Sequence, residues 1–306
     1  MTPFTRYTLS ALTMAFTSSL GLAQSSENPP TEVEIYLLIG QSNMEGVGRV
    51  SKLTDGQKNV PNVQMFHSAS VGKKATENKW SPLCPAGWKG TASGGFGLEM
   101  SFAKALNTAH PTKQFALIKH AVGGTNLHTQ WAPGTSPDDV KNQGNQFKTF
   151  IATANKAIEQ LEKDNKKPII KGILWQQGEA DSKLQKDADK YGENLAHFIK
   201  RNREQFKQYA VDQKPENICF ILGQVIPDYT KGSNAHKAYP ARESVRAAQL
   251  LISKKLPNVH TVPTNMKDYP THATDQDGYR DKDNIHFNAA GLLKLGSEMA
   301  KKALIQ

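Results

Sequence analysis

Val33-Glu34-Ile35-Tyr36-Leu37-Leu38-Ile39 runs directly into Gly40-Gln41-Ser42-Asn43-Met44. The first seven residues are almost continuously apolar and end at a glycine. That pattern predicts a strand buried on both faces, as in a parallel sheet covered by helices. Gly40 tolerates the backbone angles of a tight turn, so the chain beyond it can lift the Ser42 hydroxyl out of the sheet edge. The logic is that of a G-x-S-x-G elbow, except that Met44 stands where the final glycine would be. By itself Ser42 fits a turn or helix N-cap serine better than a nucleophile.

Outward from this stretch, strand-like and helix-like runs alternate. Strands are expected at 63–66, 114–119, 169–175, 218–222 and 259–262. Helices are expected at 97–106, with Leu98, Phe102 and Leu106 on one face, and at 147–161, with Phe147, Ile151, Ala154 and Ile158 at helical spacing. Further helices are expected at 182–206, with Leu184, Tyr191, Leu195 and Phe198 inward, and at 241–252 and 289–304. Such alternation predicts an α/β fold, a mostly parallel sheet with helices on both faces. No repeat and no linker after Pro30 divides the chain, so one domain over 33–306 is expected.

In open α/β sheets, function gathers at the carboxyl ends of the strands. Four unusual segments fall at or near such ends: Gly40 to Asn43, Gly123-Gly124-Thr125, Gln176-Gln177-Gly178-Glu179, and Asp283-Asn284-Ile285-His286 before the last helix. Asp283 and His286 are three residues apart and fit on one turn. The aspartate can accept the imidazole N–H and stabilise imidazolium, while the other ring nitrogen takes a serine proton. Acyl transfer also needs donors for an oxyanion. The Ser42 N–H, a glycine N–H from Gly95-Phe96-Gly97, and the Gln177 amide are the candidates. Gly95 and Gly97 fit ordinary loop flexibility as well.

Three blocks then resemble one family. Gly40 to Met44, Trp175-Gln176-Gln177-Gly178-Glu179-Ala180-Asp181 and Asp283-Asn284-Ile285-His286-Phe287-Asn288 are similar to the signatures of sialate O-acetylesterase-like SGNH hydrolases. Carbohydrate esterase family 6, with its acetylxylan esterases, belongs to that branch. Ala121 to Thr125, with Trp131 downstream, is similar to a further block. The resemblance spans roughly 33–303. It implies a three-layer α/β/α sandwich with a central parallel sheet, the flavodoxin-like SGNH hydrolase fold. It also implies an acetylated carbohydrate substrate and no metal or other cofactor.

By the same resemblance Ser42 is the nucleophile, His286 the base, Asp283 the orienting acid and Gln177 the third oxyanion donor. Gln41, Asn43, Gly123 and Gly124 become supporting residues. Glu179 orders the Ser42 loop, or rivals Asp283 as the acid. Gly95 to Leu98 resembles the family's glycine block with Phe96 in place of proline, which leaves open whether Gly95 or Gly97 donates. The alternatives are a lipase- or thioesterase-like SGNH hydrolase and a catalytically silent glycan-binding protein.

Composition sets the remaining bounds. The chain has 306 residues, 38% of them hydrophobic, and a net charge of +10. Residues 1–23 read as a signal peptide, with Arg6, a hydroxylated apolar stretch and small residues at Gly21 and Ala23. The polar, Pro29-Pro30-containing segment at 24–32 reads as disordered. An exported enzyme is therefore expected, and no stretch reaches membrane-spanning length. Cys84 and Cys219 fit a bridge in an oxidising compartment, and Cys219 also fits a buried core thiol. The lysines are scattered and not interleaved with aromatics, which argues against nucleic acid. Net positive charge is compatible with acidic polysaccharides. The histidines show no metal-binding spacing. Trp80, Trp88 and Trp131 are candidates for stacking on sugars, and Trp175 for the core.

Overall fold

Strand β1 (Thr31–Gly40) buries Ile35, Leu37 and Ile39 on one face and Tyr36 and Leu38 on the other. It begins two residues ahead of its apolar run, because Thr31 and Glu32 pair with Lys166 and Lys167. The computed structural model describes residues 1, 29–69, 77–87, 94–227, 234–275 and 282–305. Residues 2–23 of the expected signal peptide, 24–28 of the expected disordered segment, and Trp88 lie outside them. By its contacts the chain divides into Met1–Pro30 and Thr31–Gln306, and the fold described here is that of the second unit.

The further strands are β2 (Gly48–Arg49), β3 (Val63–His67), β4 (Trp80–Pro82), β5 (Gly95–Phe96), β6 (Phe115–Ala121), β7 (Lys166–Gln176), β8 (Cys219–Gly223) and β9 (Val259–Val262). The helices are α1 (Ser42–Glu45), α2 (Asp55–Lys58), α3 (Glu99–Ala109), α4 (Asn145–Lys163), α5 (Gln185–Gln205), α6 (Asn234–Ala238), α7 (Arg242–Lys255) and α8 (Ala289–Ala303). The main sheet has seven strands in the order β4-β3-β6-β1-β7-β8-β9. All its pairs are parallel except β3 with β4. The short edge strand β4 makes the sheet mixed. β2 and β5 form a separate two-residue ribbon.

Helices α4, α5 and α7 cover one face, and α3 and α8 cover the other. This is the expected three-layer α/β/α arrangement. The buried stripe of α4 runs through Phe147, Phe150, Ala154, Ala157, Ile158 and Leu161, while Ile151 is only half-buried. Leu184 departs from its expected inward position and is 52% exposed. A 3₁₀ turn at Ala180–Lys183 takes up the start of the expected helix, and Leu184 becomes the cap before α5. Cys219 is buried in β8 and is not bridged to Cys84. Among the described residues no helix is long and apolar enough to cross a membrane.

The chain passes from β1 to the β3–β6 side of the sheet and then returns across β1 to β7. The ends of β6, β1 and β7 therefore lie side by side at the point where the winding reverses, the usual place for a ligand crevice. Gly123, Ser42 and Gln177 follow those three ends.

Candidate active site

Gly40 ends β1 with φ +148°. A methyl group there would sit 2.2 Å from the Gln176 carbonyl oxygen, so close backbone approach requires glycine. The Gln41 N–H donates to that same carbonyl at 3.0 Å. The chain then enters α1, with Glu45 N–H closing onto Gln41 O at 2.7 Å. Ser42 is the first residue of this turn, where an N–H has no acceptor within the helix.

The Ser42 hydroxyl donates to His286 Nε2 at 2.9 Å. His286 Nδ1 donates to Asp283 Oδ2 at 2.8 Å. Asp283 Oδ1 accepts the N–H groups of Ile285 and His286 at 3.0 and 3.1 Å. The carboxylate thus holds its own turn and places the ring proton on Nδ1, which leaves Nε2 as the acceptor for Ser42. The imidazole and carboxylate side chains are 20% and 15% exposed.

Asn43 joins the separate segments. Its Nδ2 donates to Glu179 Oε1 (2.8 Å) and to the Ile285 carbonyl (3.1 Å). Its Oδ1 accepts the Phe287 N–H at 3.0 Å. The serine turn is therefore fastened to the histidine loop on one side and to the end of β7 on the other. Glu179 meets Asn43 and not the imidazole. Burial pushes its carboxyl group up, and its Oε2 has no partner among the described residues.

The residues expected as oxyanion donors lie in different surroundings. Gly97 N–H is committed to Glu99 Oε1 at 2.8 Å, and Gly95 is buried in the β2–β5 ribbon. Neither lines the pocket around Ser42. Gln177 is fully buried behind Gln41. Its Nε2 donates to Asp181 Oδ2 (2.6 Å), Thr125 O (2.9 Å) and Gln41 Oε1 (3.3 Å). Its amide packs the Gly123–Thr125 turn against the end of β7 and has no hydrogen left for a ligand. Gly123 and Gly124 instead reach the pocket. A Cβ on Gly123 would lie 3.5 Å from Ser42 Cβ, so this turn stands directly beside the serine.

A family model described as "Carbohydrate esterase, sialic acid-specific acetylesterase" matches residues 32–305. The chain belongs to this family. It is a carboxylic ester hydrolase, as the blocks at the three strand ends led one to expect. No curated protein matches the chain in sequence. Among solved structures, a protein from Arabidopsis thaliana superposes with a TM-score of 0.62 at 22% identity, over 91% of this chain and 99% of that one. NanS gives 0.61 at 16% identity, over 90% and 98%. A carbohydrate acetylesterase from Xanthomonas citri gives 0.57 at 18% identity. The match covers 88% of this chain but only 55% of the Xanthomonas one. At these identities the likeness establishes a shared fold.

The esterase pocket has a volume of about 420 Å³ and is lined by Ser42 and His286 together with residues that local motifs did not single out. Glu45, Lys183 and Tyr239 are the polar ones among these. Glu45 was within reach of sequence reading, since it lies three residues after Ser42 on the same helical turn. Tyr239 was not, because it belongs to a different part of the chain with no motif around it. The candidate tryptophans are elsewhere. Trp131 is wholly buried against Trp175, with its Nε1 on Thr125 Oγ1 at 2.9 Å. Trp80 packs on Phe66 at the sheet edge. No cluster of metal-ligating side chains occurs among the described residues.

Proposed function

We propose that this carbohydrate acetylesterase works through an acyl-enzyme on Ser42. Ser42 Oγ attacks the acetyl carbonyl while His286 Nε2 takes its proton, and Asp283 stabilises the imidazolium. The oxyanion forms beside the Ser42 N–H and Gly124, the Gly123 N–H being taken by Glu45 Oε2. As the tetrahedral adduct collapses, His286 returns the proton to the departing sugar oxygen. Water then attacks the acetyl-serine by the same base, and acetate leaves with Ser42 restored. Gln177 acts in this scheme by positioning the glycine turn.

The observation that carries the reading is the unbroken chain from Asp283 through His286 to Ser42, at 2.8 and 2.9 Å. Ser42→Ala should lower kcat for acetate release from an acetylated glycoside by on the order of a thousandfold or more. Near-wild-type acetate release by that variant would remove Ser42 from the mechanism. A silent glycan-binding protein would leave Ser42 unlabelled by a fluorophosphonate, and a lipase-like hydrolase would prefer long acyl chains to acetate. The signal-peptide layout of residues 1–23 supports action outside the cytoplasm.

A further inference from the structure

The acyl-transfer scheme leaves two charged groups of the pocket unused, Glu45 and Lys183, and Glu45 is the one on the serine's own turn. Glu45 lines the cavity beside Ser42 and His286. Its Oε2 accepts the Gly123 N–H at 2.8 Å. Among the described residues no protein donor meets its Oε1. Its main chain is held at both ends: the N–H donates to Gln41 O at 2.7 Å, and the carbonyl accepts Lys119 Nζ at 3.0 Å. The carboxylate is therefore pinned by one oxygen, with the other left for a ligand.

A carboxylate accepts hydrogen bonds and donates none. Its partner in the pocket must be an O–H or N–H. Glu45 and Ser42 are three residues apart on one helical turn, which places their Cβ atoms roughly 5–6 Å apart. That is the scale of one sugar ring, so a ligand whose ester meets Ser42 brings a neighbouring ring substituent to Glu45. A free hydroxyl there satisfies the carboxylate. An acetylated position has no proton to offer and would leave a half-buried acceptor unpaired, the situation that gives polar sites their strongest discrimination.

We propose that Glu45 is a specificity-determining residue that accepts a hydrogen bond from a free hydroxyl adjacent to the ester, and that the enzyme therefore acts on partially acetylated sugar units. This assignment rests on the carbohydrate-ester reading above. Glu45→Gln is the informative variant. Its amide oxygen can keep the Gly123 N–H, and its NH₂ then faces the pocket as a donor, so the anchor is retained and the polarity toward the sugar is reversed.

The test uses the mono-O-acetylated methyl glycoside that the wild-type protein hydrolyses best, its two analogues each lacking one hydroxyl vicinal to the ester, and 4-nitrophenyl acetate. For the wild-type protein, kcat/KM should fall about tenfold or more on one of the analogues, mainly through KM. Glu45→Gln should lose part of that factor on the parent glycoside, because its NH₂ can still donate to the hydroxyl oxygen while the charge-assisted bond to the carboxylate is gone, and should lose less again on that analogue, where neither bond can form. Independent, multiplying losses overturn the proposal. So does an equal change on the parent and on 4-nitrophenyl acetate, which would mean that Glu45 acts on the ester chemistry itself. Thermal melting of the variant at the wild-type temperature keeps a folding defect from imitating either result. Hydrolysis of 4-nitrophenyl acetate but of no acetylated glycoside would overturn the carbohydrate reading, and the Glu45 assignment with it.

Discussion

Asp283 and Glu179 are both carboxylates close to the His286 loop, and their hydrogen bonds separate them. Asp283 meets the imidazole directly and takes two backbone N–H groups on its other oxygen. These bonds favour a charged carboxylate, the state that stabilises imidazolium. Glu179 is buried, meets Asn43, and has its second oxygen without a partner among the described residues. Burial raises its pKa, and its hydrogen bond goes to Asn43, away from the imidazole. Asp283→Asn should therefore lower kcat by on the order of a thousandfold. Glu179→Gln, which can still accept from Asn43, should stay within about tenfold of wild type. Rates of acetate release at equal folded fraction decide between the two. The reverse ranking would make Glu179 the acid.

At the scale of elements, a buried ion pair ties the serine turn to the rest of the fold. Lys119 on β6 and Glu99 on α3 have no exposed side-chain surface and meet at 2.8 Å. Lys119 Nζ also donates to the carbonyls of Glu45 and Ala86. Glu99 Oε1 accepts the N–H groups of Ala86 and Gly97. One pair thus joins the end of α1, the 86 loop and the turn before α3. Removing one partner strands a buried charge, so Lys119→Met should cost about 3–5 kcal/mol in urea unfolding. Adding Glu99→Gln, which neutralises the stranded carboxylate, should recover part of that loss. Simple additivity in the double variant would show that the two groups do not act as a pair. Within this network the Gly97 N–H turns inward to the carboxylate of Glu99, two residues on, and Lys119 fixes that carboxylate from β6.

Across the whole molecule, the buried imidazole of His120 should make stability fall in acid. His120 lies in β6, accepting the Ser68 hydroxyl at Nδ1 and donating from Nε2 to Gln146 Oε1. Burial lowers its pKa to about 4, from an ordinary value of 6.5. As pH falls, the unfolded chain takes up this proton first, so acid favours unfolding. The contribution of neutral His120 is complete above pH 6.5, declines below it, and is gone by about pH 4. The loss of unfolding free energy between pH 7 and 4.5 should be smaller in His120→Gln than in the wild-type protein, as measured by urea titration at both values. An equal loss in the two would mean that His120 is protonated in the folded state as readily as in the unfolded one.

Much of this architecture was legible in the sequence because its determinants are local. A strand buried on two faces must be apolar at successive positions, and β1, β7 and β8 are. A helix packed on a sheet must repeat its apolar residues every three or four positions, as α3 and α8 do. Ser42, Asp283 and His286 stood out because each sits in a compact block beside a strand or helix end. What the sequence could not decide is how the blocks face one another. Gln177 and Gly123 both follow strand ends, and nothing local says which reaches the pocket and which packs behind it. The buried hydrogen bonds of Gln177 to Asp181, Thr125 and Gln41 make that choice, and they exist only once β1, β6 and β7 lie side by side. Glu45 stands on the serine's own turn in sequence, but only the Gly123 turn, some eighty residues on, pins one of its oxygens and leaves the other to the pocket.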